Sequence, residues 1–170
     1  MSSLAEQALA RGEHGEAVAL WRTFVDARPD EVEGHRGLAD ALRAAGELRD
    51  LLEVLGALAS LEREGGRAVP TLLEAFDVAL ELGEGATATA CLERALLVDG
   101  ATPQVVDRID ALATFPETAA AGRRLLARLA AANGDVDAQI AYLEAAIADT
   151  DDEAERLGLW REVAGLARHH

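Results

Sequence analysis

Lysine is missing altogether: all 16 cations of the chain are arginines. That absence removes the phosphate-cradling P-loop, the kinase lysine and Schiff-base chemistry, each of which needs an ε-amine. Aromatics are almost as scarce, with 6 in 170 residues, and Val and Ile together number only 14. These are the residues that fill strands, so an all-β or doubly wound α/β fold is excluded as an expectation. Cys91 is the single cysteine, which rules out an internal disulfide and gives no sign of an oxidising compartment. No apolar run approaches the roughly 18–20 residues a bilayer span needs. The start, Met1-Ser2-Ser3-Leu4-Ala5-Glu6, lacks the basic region and apolar core of a signal peptide. A soluble cytoplasmic protein, or a piece of a larger one, is the expectation.

Alanine and leucine fill the space the others leave, with 37 and 26 residues. They are the strongest helix formers, so the composition points to an all-α fold. Asp and Glu number 31, leaving a formal net charge of −15. A phosphate backbone or an anionic lipid surface would be repelled by most of such a molecule. Nucleic acid and membrane are therefore not expected partners.

The chain repeats itself. Gly12-Glu13 and Gly46-Glu47 lie 34 residues apart, and Gly83-Glu84 follows 37 later. In that register Leu4-Ala5 answers Leu38-Ala39 and Ala75-Phe76, and Ala8 answers Leu42 and Ala79. Likewise Ala17 answers Leu51 and Ala88, and Trp21 answers Leu55 and Leu92. Each unit reads as an apolar helix, a Gly-Glu turn, a second apolar helix and a polar break. The breaks include Pro29-Asp30 and Gly65-Gly66-Arg67 with Pro70. Apolar residues recur at i, i+3, i+4 and i+7, as in Leu51, Leu55, Leu58 and Leu61, which is one face of a helix. Start signals agree: Ser3 with Glu6 as a capping box, Thr102-Pro103, Phe115-Pro116-Glu117 and Thr150-Asp151-Asp152-Glu153. Ten helices are predicted, near 3–11, 14–28, 30–45, 47–63, 69–82, 86–98, 103–113, 117–132, 135–148 and 152–168. They form one domain over residues 1–170.

With Leu4, Ala5, Ala8, Gly12, Ala17, Trp21, Phe24 and Pro29 in place, the first unit resembles the tetratricopeptide repeat (TPR), whose helix-turn-helix unit is about 34 residues long. The second and third units match more loosely: Leu51 replaces a small crossing residue, and Gly100 stands for the closing proline. The resemblance covers residues 3–100. It implies a right-handed superhelical solenoid of about ten antiparallel helices in TPR-like pairs, with the first helix of each pair lining the concave side.

After residue 100 two registers compete. Gly134-Asp135 has the look of another turn within a pair, with Leu126, Ala127, Ala130, Ile140, Leu143 and Ala146 around it, but it falls 51 residues after Gly83. Leu159-Trp160-Arg161 instead echoes Leu20-Trp21-Arg22 at a separation of 139, which favours an unbroken alternation of first and second helices. The alternation is taken for topology, and the C-terminal register stays open.

Several motifs dissolve on inspection. Gly83-Glu84-Gly85-Ala86-Thr87-Ala88 contains a G-x-G-x-x-A string, but the dinucleotide mechanism needs a strand before it, and the segment ahead has helical periodicity. Cys91 sits mid-helix with no histidine or basic cluster near it in sequence, as a small packing residue does. His14 and His35 have no second ligand at metal spacing, and His169-His170 end the chain; His35 reads as a wedged, partly buried ring. The acidic run from Asp149 to Glu153 lacks the glycine and the terminal glutamate of an EF-hand and suits the start of a helix. No acid, base and nucleophile assemble, so no catalysis, cofactor or metal is expected.

The resemblance implies an interaction module. The residues at the family's carboxylate-clamp positions are Glu6, Arg36, Gly37, Asp40 and Asp77, so that clamp is absent. The inner wall is expected to present Glu33, Asp40, Asp77 and Asp107, with Arg36 and Arg43 between them and Leu9, Leu73 and Leu80 as apolar footholds. Such an acidic groove prefers a basic or amphipathic peptide or helix. Two alternatives stay open: a structural solenoid that self-associates, and a small-ligand or peptide sensor with a pocket near the irregular helix 103–113. A concave pocket around Trp21 or Phe115 would favour the sensor.

Overall fold

The computed structural model describes residues 2–62 and 66–169. Gly65 of the predicted 65–67 break and the terminal His170 lie outside the described residues. The rest is all-α, as the Ala and Leu content predicts. Among the described residues there are ten α-helices and no strand: α1 (Ser2–Ala10), α2 (His14–Ala27), α3 (Val32–Ala45), α4 (Leu48–Leu61), α5 (Ala68–Glu81), α6 (Gly85–Asp99), α7 (Pro103–Thr114), α8 (Ala119–Ala132), α9 (Val136–Ala148) and α10 (Glu153–His169). Every predicted helix exists, within about two residues at each end. Ser3 is one correction, because it lies inside α1 and does not cap it. Among the described residues none of the helices is long and apolar enough to cross a membrane.

Packing divides the chain into two compact units, residues 1–98 and 99–170. In the first unit each helix from α1 to α5 packs on its neighbours. Apart from the exposed Leu4, the positions matched by the repeat are buried: Ala5, Ala39 and Phe76, then Ala8, Leu42 and Ala79, then Ala17, Leu51 and Ala88, then Trp21, Leu55 and Leu92. Small residues at the crossings let helix backbones approach, and the glycines of α3 take this furthest. A Cβ on Gly37 would stand 2.2 Å from the Trp21 ring, and one on Gly34 would stand 2.7 Å from Phe24. The two aromatics of α2 meet edge to face, 5.6 Å between centroids, and rest on that glycine surface.

One turn device joins the pairs. Gly12, Gly46 and Gly83 all adopt positive φ, between 72° and 78°, a conformation that side chains resist. The acidic residue after each glycine donates its backbone N–H to the carbonyl of Ala8, Leu42 and Ala79 respectively, at 2.8–3.0 Å. Its own carbonyl then accepts from Ala17, Leu51 or Ala88 in the next helix. Thus the Gly-acid dipeptide both closes one helix and opens the next.

In the second unit α7, α8, α9 and α10 pack consecutively. The same device recurs at Gly134, φ 74°: Asp135 N–H donates to Ala130 and its carbonyl accepts from Gln139. The pair signature therefore falls between α8 and α9. The Trp echo that favours unbroken alternation fails, because Trp160 is 49% exposed where Trp21 is 2% exposed. Ala127, Leu143, Ala146 and Ile147 form one core with Leu159 and Val163 of α10. The α7–α8 link uses other means. Thr118 donates its hydroxyl to the Leu112 carbonyl at 2.8 Å, and Gly122 of α8 lies so close to Ala113 that a Cβ would meet its backbone N at 2.5 Å.

Candidate functional site

Alternate helices of the first unit are tied together by ion pairs about one repeat apart, and these define two faces. On one, Arg22 of α2 reaches Glu47 and Asp50 at the start of α4, and Arg49 of α4 reaches Glu84 ahead of α6. On the other, Arg43 of α3 donates from Nε to Glu74 of α5 at 2.8 Å and from a terminal nitrogen to Asp40 at 2.6 Å. This second face, carried by α1, α3 and α5, holds most of the predicted groove residues.

Glu33 and Asp40 are exposed on α3, and Asp77 is exposed on α5 one turn beyond Glu74. Leu80 is half-buried, but Leu73 is buried and so belongs to the packing of α5 more than to its open side. Asp107 is exposed on α7, in the second unit. Burial works against the charge on Arg43, yet the hydrogen bonds and charges of Glu74 and Asp40 outweigh it and hold the guanidinium pKa above its ordinary value.

Arg36 has a different partner from the one expected of a groove residue. Its Nε donates to Glu62 at 2.9 Å, and its terminal nitrogen donates to the same oxygen at 2.5 Å. The second Glu62 oxygen accepts from the Thr71 hydroxyl at 2.5 Å. Glu62 is only 5% exposed, and these donors offset the cost of burying its charge. This bridge from α3 through the end of α4 to α5 was not visible in the sequence, where Glu62 is one more carboxylate in an acidic stretch. Both arginines on this face are already committed to carboxylates of the chain.

Between α1 and α3 the face opens into a cavity of about 200 Å³ lined by Glu6, Leu9, Trp21, Glu33, Arg36, Gly37 and Asp40. Trp21 is its least exposed member, and the indole Nε1 is buried without a hydrogen-bond partner among the described residues. Glu6 and Glu33 make no hydrogen bond or ion pair among the described residues. The sequence marks Trp21 by its place in the repeat, but the cavity needs three helices to exist.

The other flagged residues fall into ordinary roles. His35 is buried, with Nδ1 3.2 Å from the Glu31 carbonyl. The Gly83–Ala88 string follows a helix and forms the turn device described above. Cys91 is buried in α6, and desolvation pushes its thiol pKa up. Asp152 accepts from the Glu155 backbone N–H at 2.8 Å, capping α10. Among the described residues no group of three His, Cys, Asp or Glu side chains is placed to hold a metal ion.

No family model matches the chain, and no curated protein matches it either. Solved structures do. A thermophilic TPR protein of Thermus thermophilus is 25% identical, with 98% of this chain and 79% of that one covered and a TM-score of 0.39. The nearly identical TPR-like repeats of a kinesin light chain from Podospora anserina give 21% identity, 98% and 83% coverage and a TM-score of 0.43. MamA protein gives 17%, 98%, 85% and 0.48. The chain resembles tetratricopeptide-repeat proteins, on the spacing of its buried positions and on the Gly-acid turn that recurs between its paired helices.

Proposed function

We propose that this chain is a protein–protein interaction module whose α1–α3–α5 face binds a basic or amphipathic segment of a partner. One observation carries the reading: Arg36 and Arg43 are both held by carboxylates of the chain, while Glu6 and Glu33 add exposed negative charge beside them. A face whose cations are internally neutralised keeps a negative potential, which steers cationic segments toward it. Glu33, Asp40 and Asp77 supply that charge, and the half-buried Leu80 supplies apolar contact. Arg43 fixes the position of Asp40 and Glu74.

A designed amphipathic peptide of Leu and Arg tests this, with a Leu/Glu peptide as its mirror. The wild type is expected to bind the first and not the second, with affinity falling as salt shortens the Debye length toward about 3 Å at 1 M. Asp40→Arg with Asp77→Arg should weaken binding at least tenfold at low salt. Reversing Asp26 and Glu53, which are exposed on α2 and α4, alters the net charge equally and should change little. Equal loss in both double variants would mean that net charge, not this face, attracts the peptide. Each lost surface pair costs about 0.2–1 kcal/mol, so helical circular dichroism should survive.

A small-ligand sensor is the second reading, favoured by the cavity at Trp21. Its volume of about 200 Å³ is below the roughly 300–1,000 Å³ of usual ligand pockets. That size suits one side chain better than a cofactor or metabolite.

A further inference from the structure

From Arg11 to Arg49, every arginine of the first unit holds a carboxylate of the chain. Arg94 of α6 departs from this. Among the described residues its guanidinium meets one side chain, donating from a terminal nitrogen to the Ser60 hydroxyl of α4 at 3.1 Å, in a bond open to solvent. That hydroxyl gives its own proton to the Gly56 carbonyl at 3.0 Å, so Ser60 orients the guanidinium without neutralising it. A guanidinium carries five N–H donors in a planar fork that matches a carboxylate, and the rest of this fork is left for a ligand.

Arg94 and Ser60 line a cavity of about 300 Å³, whose other walls are Ala59, Leu72, Leu97 and Val98. None of these residues is acidic, in a chain with 31 Asp and Glu. The adjoining cavity on the same face has Glu53 and Glu84 in its lining, and the cavity at Trp21 has Glu6, Glu33 and Asp40. Leu72 is 1% exposed and Leu97 79% exposed, so the apolar wall runs from the core out to the rim. Negative charge joined to hydrocarbon is what such a hollow complements. One cation between apolar walls suits a single negative charge, whereas a hydrated dianion such as phosphate would lose its water there with too little in return. Ala59, Leu72, Leu97 and Val98 offer a peptide main chain no side-chain hydrogen bond, which favours a free acid over a polypeptide segment. The volume is within the lower end of the roughly 300–1,000 Å³ of usual ligand pockets.

We propose that this cavity binds a small apolar monocarboxylic acid, its carboxylate on the open side of the Arg94 fork and its hydrocarbon against Leu72, Leu97 and Val98. Ser60 acts as a positioning residue, through Arg94. The site lies between α4 and α6 and does not depend on the acidic-face reading of α1, α3 and α5.

Hexanoate is the probe, titrated into the ¹⁵N-labelled protein. It should shift the backbone amide signals of Leu97 and Val98 saturably. Hexanamide, close in shape and uncharged, and acetate, charged but without the chain, should each bind at least tenfold more weakly. Arg94→Gln should cost at least tenfold. Arg49→Gln makes the same change of charge at the other end of α4, outside the cavity lining, and should cost little. Signals of Leu97 and Val98 that stay in place throughout the hexanoate titration overturn the proposal. So does hexanamide binding as tightly as hexanoate, a comparison made on the wild type and so independent of how any variant folds. Binding unchanged in Arg94→Gln, or an equal loss in Arg49→Gln, overturns it as well. Acetyl-leucine presents the end of a polypeptide, and its binding tenfold more tightly than hexanoate would replace the free acid with the last residue of a partner chain. The Leu/Arg peptide reads Asp40 and Asp77 on the other face, so the two proposals fail separately.

Discussion

Glycine is the residue whose cost and use differ most from place to place here. Gly37 of α3 and Gly122 of α8 sit in helix interiors, where alanine would be better by about 0.8–1.0 kcal/mol on propensity. At Gly37 a Cβ meets a buried ring at 2.2 Å, and at Gly122 it meets the Ala113 backbone at 2.5 Å. Overpacking of this kind costs about 1–3 kcal/mol, so Gly37→Ala and Gly122→Ala are expected to lower the melting temperature. Gly56 of α4 has nothing within 4 Å of its Cβ position, and Gly56→Ala should raise stability by about 0.5–1 kcal/mol. Chemical denaturation of the three variants gives the comparison, and a uniform gain would show that the helices are not as close as described. The sequence could not separate these glycines. What distinguishes Gly37 from Gly56 is a tryptophan one helix away, and no local pattern records that.

At the scale of the helix, periodicity carried the prediction well. Leu51, Leu55 and Leu58 of α4 lie on one buried face, and the helix limits followed from turn residues. Pairing between helices was harder to read. Gly134-Asp135 carried the right signal out of step with the 34-residue spacing, and Trp160 carried a false one, since a three-residue echo says nothing of which side of a helix faces inward. Trp160 and Leu157 of α10 are both about half exposed, whereas Leu159 and Val163 are buried. The two tryptophans should therefore differ under acrylamide quenching. Trp160→Phe is expected to leave an emission that is blue-shifted and poorly quenched, from Trp21 alone. A single-tryptophan emission as accessible as that of free indole would place Trp21 at the surface and undo the α2–α3 packing.

For the whole molecule, the fold class and helix order were legible because they depend on composition and on short-range pattern. The acidic face was legible only as a set of charges. Their mutual arrangement was not, because Arg36 finds Glu62 across 26 residues and Arg43 finds Glu74 across 31, and exposed carboxylates of an acidic chain all look alike in one dimension. The unit spanning residues 1–98 contains its own core, with Leu42, Leu51, Leu55, Leu72, Phe76 and Leu92 fully buried. A fragment of those residues is expected to keep a helical spectrum and a cooperative thermal transition. A coil-like spectrum would mean that the first unit depends on the rest of the chain. The spacing of the cross-helix pairs has a kinetic side as well. Arg22–Asp50, Arg36–Glu62, Arg43–Glu74 and Arg94–Ser60 join residues 28, 26, 31 and 34 apart. Loop-closure entropy grows only with the logarithm of the loop, and chains rich in near-sequence contacts cross their folding barrier quickly. Each such rung can close once the next helix or the one after it has emerged, so the first unit can assemble in step with its own synthesis, without waiting for the end of the chain.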